Sequence, residues 1–208
     1  MIFPPETRYA RNGPVHLAYQ VLGEGPVNLI GVSSGPASHV DFMWMERDRF
    51  LGTVLFVDVV GSTQLAAAIG DGPFAERLGD FIQLLRRQLD RYQGRLVDTA
   101  GDGALALFDS PARAIACAEA VRDGVRALGL QVRAGVHTGE MEHGPGGTIR
   151  GIAVHTGARV AALAGPGEIM VSRTIRDLVA GAPIRLDSRG EHQLKGVPGS
   201  WEVFSVAD

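Results

Sequence analysis

An α+β fold of the ferredoxin-like kind, ordered β-α-α-β-β-α-β with extra strands toward the carboxyl end, is what this sequence of 208 residues predicts. Three observations lead there. A mostly apolar run of strand length at 53–59 precedes two helical segments. A Gly-Asp-Gly turn divides two short strands at 95–99 and 104–108. A further helix with one apolar face then leads into a strand at 131–137.

The elements follow in order. Residues 15–21 and 27–32 read as strands flanking the turn signal Gly23-Glu-Gly-Pro26. The stretch 33–50 mixes aromatic bulk with charge and closes no core by itself. From about Leu51 the pattern becomes regular. The strand at 53–59 runs into Gly61-Ser62-Thr63, whose hydroxyls can cap the next helix. Phe81, Leu84, Leu85, Leu89 and Tyr92 give the second helix its apolar stripe, and Gly94 stops it. The hairpin at Ala100-Gly-Asp-Gly103 comes next. Pro111 opens a helix with Ala114, Ile115, Ala118, Val121, Val125 and Leu128 along one face. The strand at 131–137 ends in Thr138-Gly139, and a loop containing Gly144-Pro-Gly-Gly147 leads to a helix at 152–163. The tail adds strands near 168–171, 184–187 and 201–206 and a short helix near 174–179. In this order the first strand lies beside the hairpin strand at the centre of the sheet, so the turn holding Asp102 falls near the exit of Val57-Asp58-Val59.

Composition narrows the function. A net charge of -3 supplies no basic field, which excludes nucleic acid as an expected partner. The longest apolar runs fall far short of the roughly 20 residues a membrane helix needs, and no basic-then-apolar leader opens the chain. The expected location is therefore cytoplasmic. The single cysteine, Cys117, can make neither an internal disulfide nor a zinc cluster and reads as a small buried hydrophobe.

Two strand-end aspartates carry the chemistry: Asp58 in Val54-Leu-Phe-Val-Asp-Val-Val-Gly-Ser-Thr63, and Asp102 in Thr99-Ala-Gly-Asp-Gly103. Carboxylates meeting at strand ends can hold divalent cations against a triphosphate, because magnesium binds through one or two carboxylates, substrate phosphates and water. After Asp58 the chain turns through Gly61, Ser62 and Thr63 into a helix, whose unpaired amides and dipole suit phosphate. Gly101 and Gly103 let the hairpin backbone approach such a ligand closely. Separately, each aspartate could be a mere cap or turn residue.

These segments, with Val132-Arg-Ala-Gly-Val-His-Thr-Gly139, Ala158-Arg-Val160 and Leu194-Lys-Gly196, closely resemble the class III nucleotide (adenylate and guanylate) cyclases from Leu51 to about Phe204, which makes 51–208 the expected cyclase domain. The resemblance implies a homodimer with active sites at the interface and two Mg2+ or Mn2+ ions. It implies that the ribose 3′-oxygen of ATP or GTP attacks the α-phosphate with loss of pyrophosphate. By motif match, Asp58 and Asp102 are the metal ligands and Arg159 neutralises charge at the α-phosphate. Lys195 matches a contact to the distal phosphates, or serves only its Lys-Gly turn.

Three positions depart from the commonest pattern. Asp98 stands where adenylate cyclases carry an adenine-reading lysine, Thr148 aligns with the second base-reading position, and His155 replaces a ribose-orienting asparagine. His155 and Arg159 share a helix face. An ionised Asp98 only accepts and Thr148 can donate, which leans toward guanine. The nearest subgroup of the family is associated with adenylate cyclase activity, which keeps ATP first and GTP as the alternative. A catalytically silent cyclase-like module is the rival from another class.

The opening Thr7-Arg-Tyr-Ala-Arg-Asn-Gly-Pro-Val-His-Leu-Ala-Tyr-Gln-Val-Leu-Gly23 resembles the first strands of an α/β-hydrolase domain, so 1–50 reads as a truncated segment of that kind. Gly31-Val-Ser-Ser-Gly35 fits a nucleophile-elbow pattern around Ser33, yet Pro36 follows and no triad can assemble before the second domain begins. His137, ending a strand, reads as a packed residue.

Overall fold

The computed structural model describes residues 8–12, 15–19, 49–144 and 147–207. The chain divides into two compact units, Met1–Asp48 and Arg49–Asp208. In the first, β1 (Arg8–Asn12) and β2 (Val15–Tyr19) pair antiparallel. β2 was expected; β1 was not, because its two arginines mask the strand alternation. The expected strand at 27–32 and Ser33 lie outside the described residues.

The second unit runs β3 (Arg49–Val59), α1 (Ser62–Ile69), α2 (Asp71–Tyr92), β4 (Arg95–Ala100), β5 (Gly103–Phe108) and α3 (Pro111–Gly124), which continues into a 3-10 turn at Val125–Leu128. Then come β6 (Val132–His143), β7 (Ile149–Arg150), α4 (Ile152–Ala162), β8 (Ile169–Ser172), α5 (Arg173–Leu178), β9 (Leu186–Gln193) and β10 (Ser200–Val206). The sheet order is β4-β5-β3-β6-β8-β10-β9, with β7 paired to β6. β6 and β8 are parallel and the other pairs antiparallel. The β-α-α-β-β-α-β order and the central place of the first long strand match the sequence expectation.

Two strands outrun it. β6 does not stop at Thr138-Gly139, because Gly139 pairs with Gly52 and the ladder continues to Arg49 opposite Glu142. Arg49 secures that extension, donating to Glu142 at 3.2 Å and to Glu140 at 3.3 Å. β9 begins at Leu186 and passes through Gly190 rather than ending at Asp187. Glu202 pairs with Glu191 and Phe204 with Ser188, so the strand bulges there, and Gly190 takes the left-handed φ of 80° that absorbs the bulge.

Strand alternation gives the sheet two unlike faces. Leu55, Val57 and Val59 point to one, where Phe81, Leu85 and Leu89 of α2 and Ile115, Ala118 and Val121 of α3 bury them in a single core. We call this the covered face. Val54, Phe56 and Asp58 point to the other, the open face, which α4 roofs only in part. The helix lies very close: a Cβ on Gly135 would fall 2.3 Å from the backbone nitrogen of Ala161, and one on Gly157 2.5 Å from Val54 Cγ2. Beyond α4, Val97, Leu105 and Leu107 on β4 and β5 are only partly buried.

His137 and Cys117 are interior residues, as expected. His137 is 4% exposed, its Nδ1 lies 2.8 Å from Ser172 Oγ, and Trp201 meets its ring edge-on. Burial lowers its pKa from 6.5 to about 4. Burial likewise pushes the Cys117 thiol up to about 12.

Candidate active site

The register of β3 against β5 assembles the centre of the site. Asp58 pairs with Gly103, and the Val59 amide donates to the Asp102 carbonyl at 3.3 Å. The turn carrying Asp102 therefore sits at the exit of the strand carrying Asp58. Ala100 pairs with Gly103, leaving Gly101 and Asp102 as a two-residue loop with Gly101 at φ 61°. That φ accounts for Gly101, since nothing stands within 4 Å of where its Cβ would be. At Gly103 a Cβ would lie 3.4 Å from Asp58 Oδ1, so this glycine borders the carboxylate directly.

The helix start differs in one respect from expectation. Gly61 itself is the N-cap of α1, at φ 66°, and no side chain bonds to the helix end. The hydroxyls of Ser62 and Thr63 fall inside the first turn instead of capping it, which leaves the first-turn amides without a side-chain acceptor.

Arg133 is the site residue that sequence reading missed. It is the direct cross-strand partner of Asp58 on β6. Its Nε and Nη2 both donate to Asp58 Oδ2, at 2.9 and 2.6 Å. Within its motif Arg133 looks like an ordinary strand residue alternating with buried Val132 and Ala134. Its meaning appears only with a register spanning 75 positions.

A cavity of about 250 Å3 opens on this face, lined by Asp58, Asp98, Leu105, Arg133 and Ala158 among others. Asp98 reaches it because β4 bulges between Leu96 and Asp98. Its Oδ1 accepts from the Thr99 amide at 2.8 Å. Thr148, exposed between β6 and β7, is tied toward the same strand through its neighbour: Arg95 of β4 donates to the Gly147 carbonyl at 3.2 Å.

A second pair forms on α4. Arg159 and, one turn earlier, His155 are both exposed. Arg159 Nε donates to the Lys195 carbonyl at 3.1 Å. Buried Leu194 and Val197 anchor the turn that offers this carbonyl, while the Lys195 side chain is exposed.

The donor set fits hard divalent cations. Carboxylate oxygens are the ligands such ions choose, and Asp58 Oδ2 already has a guanidinium as stand-in cation. Among the described residues no group of three or more His, Cys, Asp or Glu gathers, so an ion held by these carboxylates would take further oxygen ligands from outside the cluster. That is the shared coordination magnesium favours in phosphoryl sites.

Comparisons with known proteins point the same way. Residues 51–207 match the family described as the adenylate and guanylate cyclase catalytic domain. An uncharacterized protein of Mycobacterium tuberculosis is 30% identical over 155 residues, covering 74% of this chain and 40% of its own length. This chain thus spans less than half of that relative. The adenylyl cyclase CyaB from P. aeruginosa superposes with a TM-score of 0.74 at 22% identity, over 79% of this chain and 97% of that one. The guanylate cyclase domain of RhGC from Catenaria anguillulae, in complex with GTP, superposes with a TM-score of 0.71 at 18% identity, over 77% of this chain and 98% of that one. At such identities these two likenesses speak for the fold alone.

Proposed function

This chain belongs to the adenylate and guanylate cyclase catalytic-domain family, and on that premise we propose that it converts ATP to 3′,5′-cyclic AMP and pyrophosphate as a metal-dependent homodimer. The observation that carries the reading is the joint placement of Asp58 and the Gly101-Asp102 turn at one strand exit, on the face where α4 presents Arg159.

The motif match supports the following division of labour. Asp58 and Asp102 hold two Mg2+ or Mn2+ ions. Those ions, when bound, neutralise the triphosphate and favour ionisation of the attacking hydroxyl. The uncapped first turn of α1, at Gly61, Ser62 and Thr63, receives phosphate oxygens on its amides. Arg159 meets charge developing at the α-phosphate, and its Nε bond to the Lys195 carbonyl fixes the guanidinium plane for that task. The Lys195 side chain extends to the distal phosphates and His155 to the ribose.

The homodimer rests on the open face. Val97, Leu105 and Leu107 leave apolar surface beside the polar site residues, which suits a partner that completes the site while covering that surface. An accepting carboxylate at Asp98 and a donating hydroxyl at Thr148 support guanylate cyclase activity as the second reading.

Purified protein incubated with Mn2+ and ATP, or with GTP, and assayed for cyclic nucleotide and pyrophosphate tests both. Cyclic AMP exceeding cyclic GMP at equal substrate is the expected result; the reverse ratio selects the second reading. Nucleotide binding without either product would overturn both and leave a silent module.

A further inference from the structure

The open face holds three ionised side chains around one cavity: two carboxylates, Asp58 and Asp98, and one guanidinium, Arg133. The guanidinium is committed to Asp58, with both donor bonds converging on the single oxygen Oδ2. Among the described residues Asp98 is engaged at Oδ1, by the Thr99 amide, and has no partner at its other oxygen. The side chains of Arg133 and Asp58 are 39% and 32% exposed, so the pair is hydrated and exchangeable rather than a buried structural clamp.

We propose that Arg133 is a two-position counter-ion: it occupies Asp58 while no metal is bound, and moves to Asp98 when a divalent cation takes Asp58 Oδ2. The inference rests on the metal-dependent reading above and deepens it. A carboxylate already bonded to a guanidinium offers an incoming dication little net charge, and the dication and Arg133 cannot share one oxygen without strong like-charge repulsion. Displacement is cheap only if the released guanidinium finds another anion within the same cavity. Asp98, with one oxygen uncommitted, is that anion. Arg133 is thus a positioning residue that acts on the metal through Asp58, and Asp98 acts through Arg133.

Mn2+ binding in the absence of nucleotide, followed by the EPR signal of free Mn2+, tests this without any turnover. Arg133→Gln is expected to tighten Mn2+ about tenfold, because it removes the competitor for Asp58. Asp98→Asn is expected to weaken Mn2+ about threefold in the unmutated background, because the guanidinium loses its second seat. In the Arg133→Gln background the same Asp98→Asn change should have almost no effect, the signature of coupling through one shared partner. Arg133→Lys, which keeps the charge but not the fork, should lie between. Far-UV circular dichroism on each variant establishes that the sheet is intact.

Unchanged or weaker Mn2+ binding in Arg133→Gln would overturn the proposal. So would an Asp98→Asn loss of equal size in both backgrounds, since that is plain long-range electrostatics. Failure here is separable from failure of the cyclase reading. Cyclic nucleotide production by the unmutated protein decides the latter, whereas the Mn2+ titration reports on Arg133 whether or not product forms.

Discussion

The covered and open faces of the central sheet are made by alternate residues of the same strands, yet they answer to different physics. On β3, Leu55, Val57 and Val59 meet the long faces of α2 and α3 and are nearly inaccessible. Their neighbours Val54, Phe56 and Asp58 point the other way, into a region that combines charge, a cavity and partly exposed apolar groups. The first face is closed by helices; the second is left partly uncovered. Stability and chemistry are thereby assigned to opposite sides of one sheet, which a strand achieves simply because its side chains alternate.

That separation can be broken most severely at the proposed metal ligands. Asp102→Ala is expected to lower cyclic nucleotide production by about a thousandfold or more while leaving the unfolding midpoint within a degree or two, because the residue sits in a turn and fills no core. A large loss of thermal stability in this variant would mean that the open face also holds the fold together.

The converse substitution lies on the covered face. Phe81 is fully buried in the main core, so Phe81→Ala is expected to cost about 3–5 kcal/mol in urea unfolding. The folded fraction at low temperature should retain its metal dependence. A changed Mn2+ requirement would show that the two faces are coupled.

His137 sharpens the comparison, since it lies on the open face but beneath α4. Its folded-state pKa, about 4, is below the ordinary 6.5, so the unfolded chain binds a proton that the folded chain refuses. The associated stability is fully present above pH 6.5 and is lost as pH falls toward 4, by on the order of 3 kcal/mol across that window. Urea unfolding at pH 7 and pH 4.5 measures it. His137→Gln, which has nothing to titrate there, should remove most of the difference.

The smallest effect is expected at the rim of the open face. Val97→Glu puts a charge among the partly buried groups of β4 and β5 and should raise the dissociation constant of the proposed homodimer about tenfold, with little change in secondary structure. Sedimentation velocity over a concentration series reads this. An unaltered association constant would move the interface elsewhere.

How much of this was legible in the sequence varied with the range of the interaction. The strand at 53–59, the apolar faces of α2 and α3 and the Gly-Asp-Gly hairpin each carry a local period or turn signal, and they could be read directly. Asp58 and Asp102 stood out because an aspartate between apolar strand residues and glycines is an uncommon local pattern. The extension of β6 to His143 was hidden, since Gly139 reads as a stop and only its pairing with Gly52 keeps the strand going. The cap of α1 was misjudged because Ser62 and Thr63 are good capping types, whereas the left-handed Gly61 holds the position. Arg133 was invisible for a deeper reason. Nothing in its own neighbourhood distinguishes it, and it becomes part of the site only through a ladder between strands far apart in the chain.

The seating of α4 has one further consequence. Main chain rests against main chain where Gly135 meets Ala161, so at that point any side chain added to the strand would push the helix away. The height of His155 and Arg159 above the sheet is accordingly gauged by atomic radii. Substitutions at Val54 or Phe56, whose side chains meet Gly157 of the same helix, are the ones that would reset it.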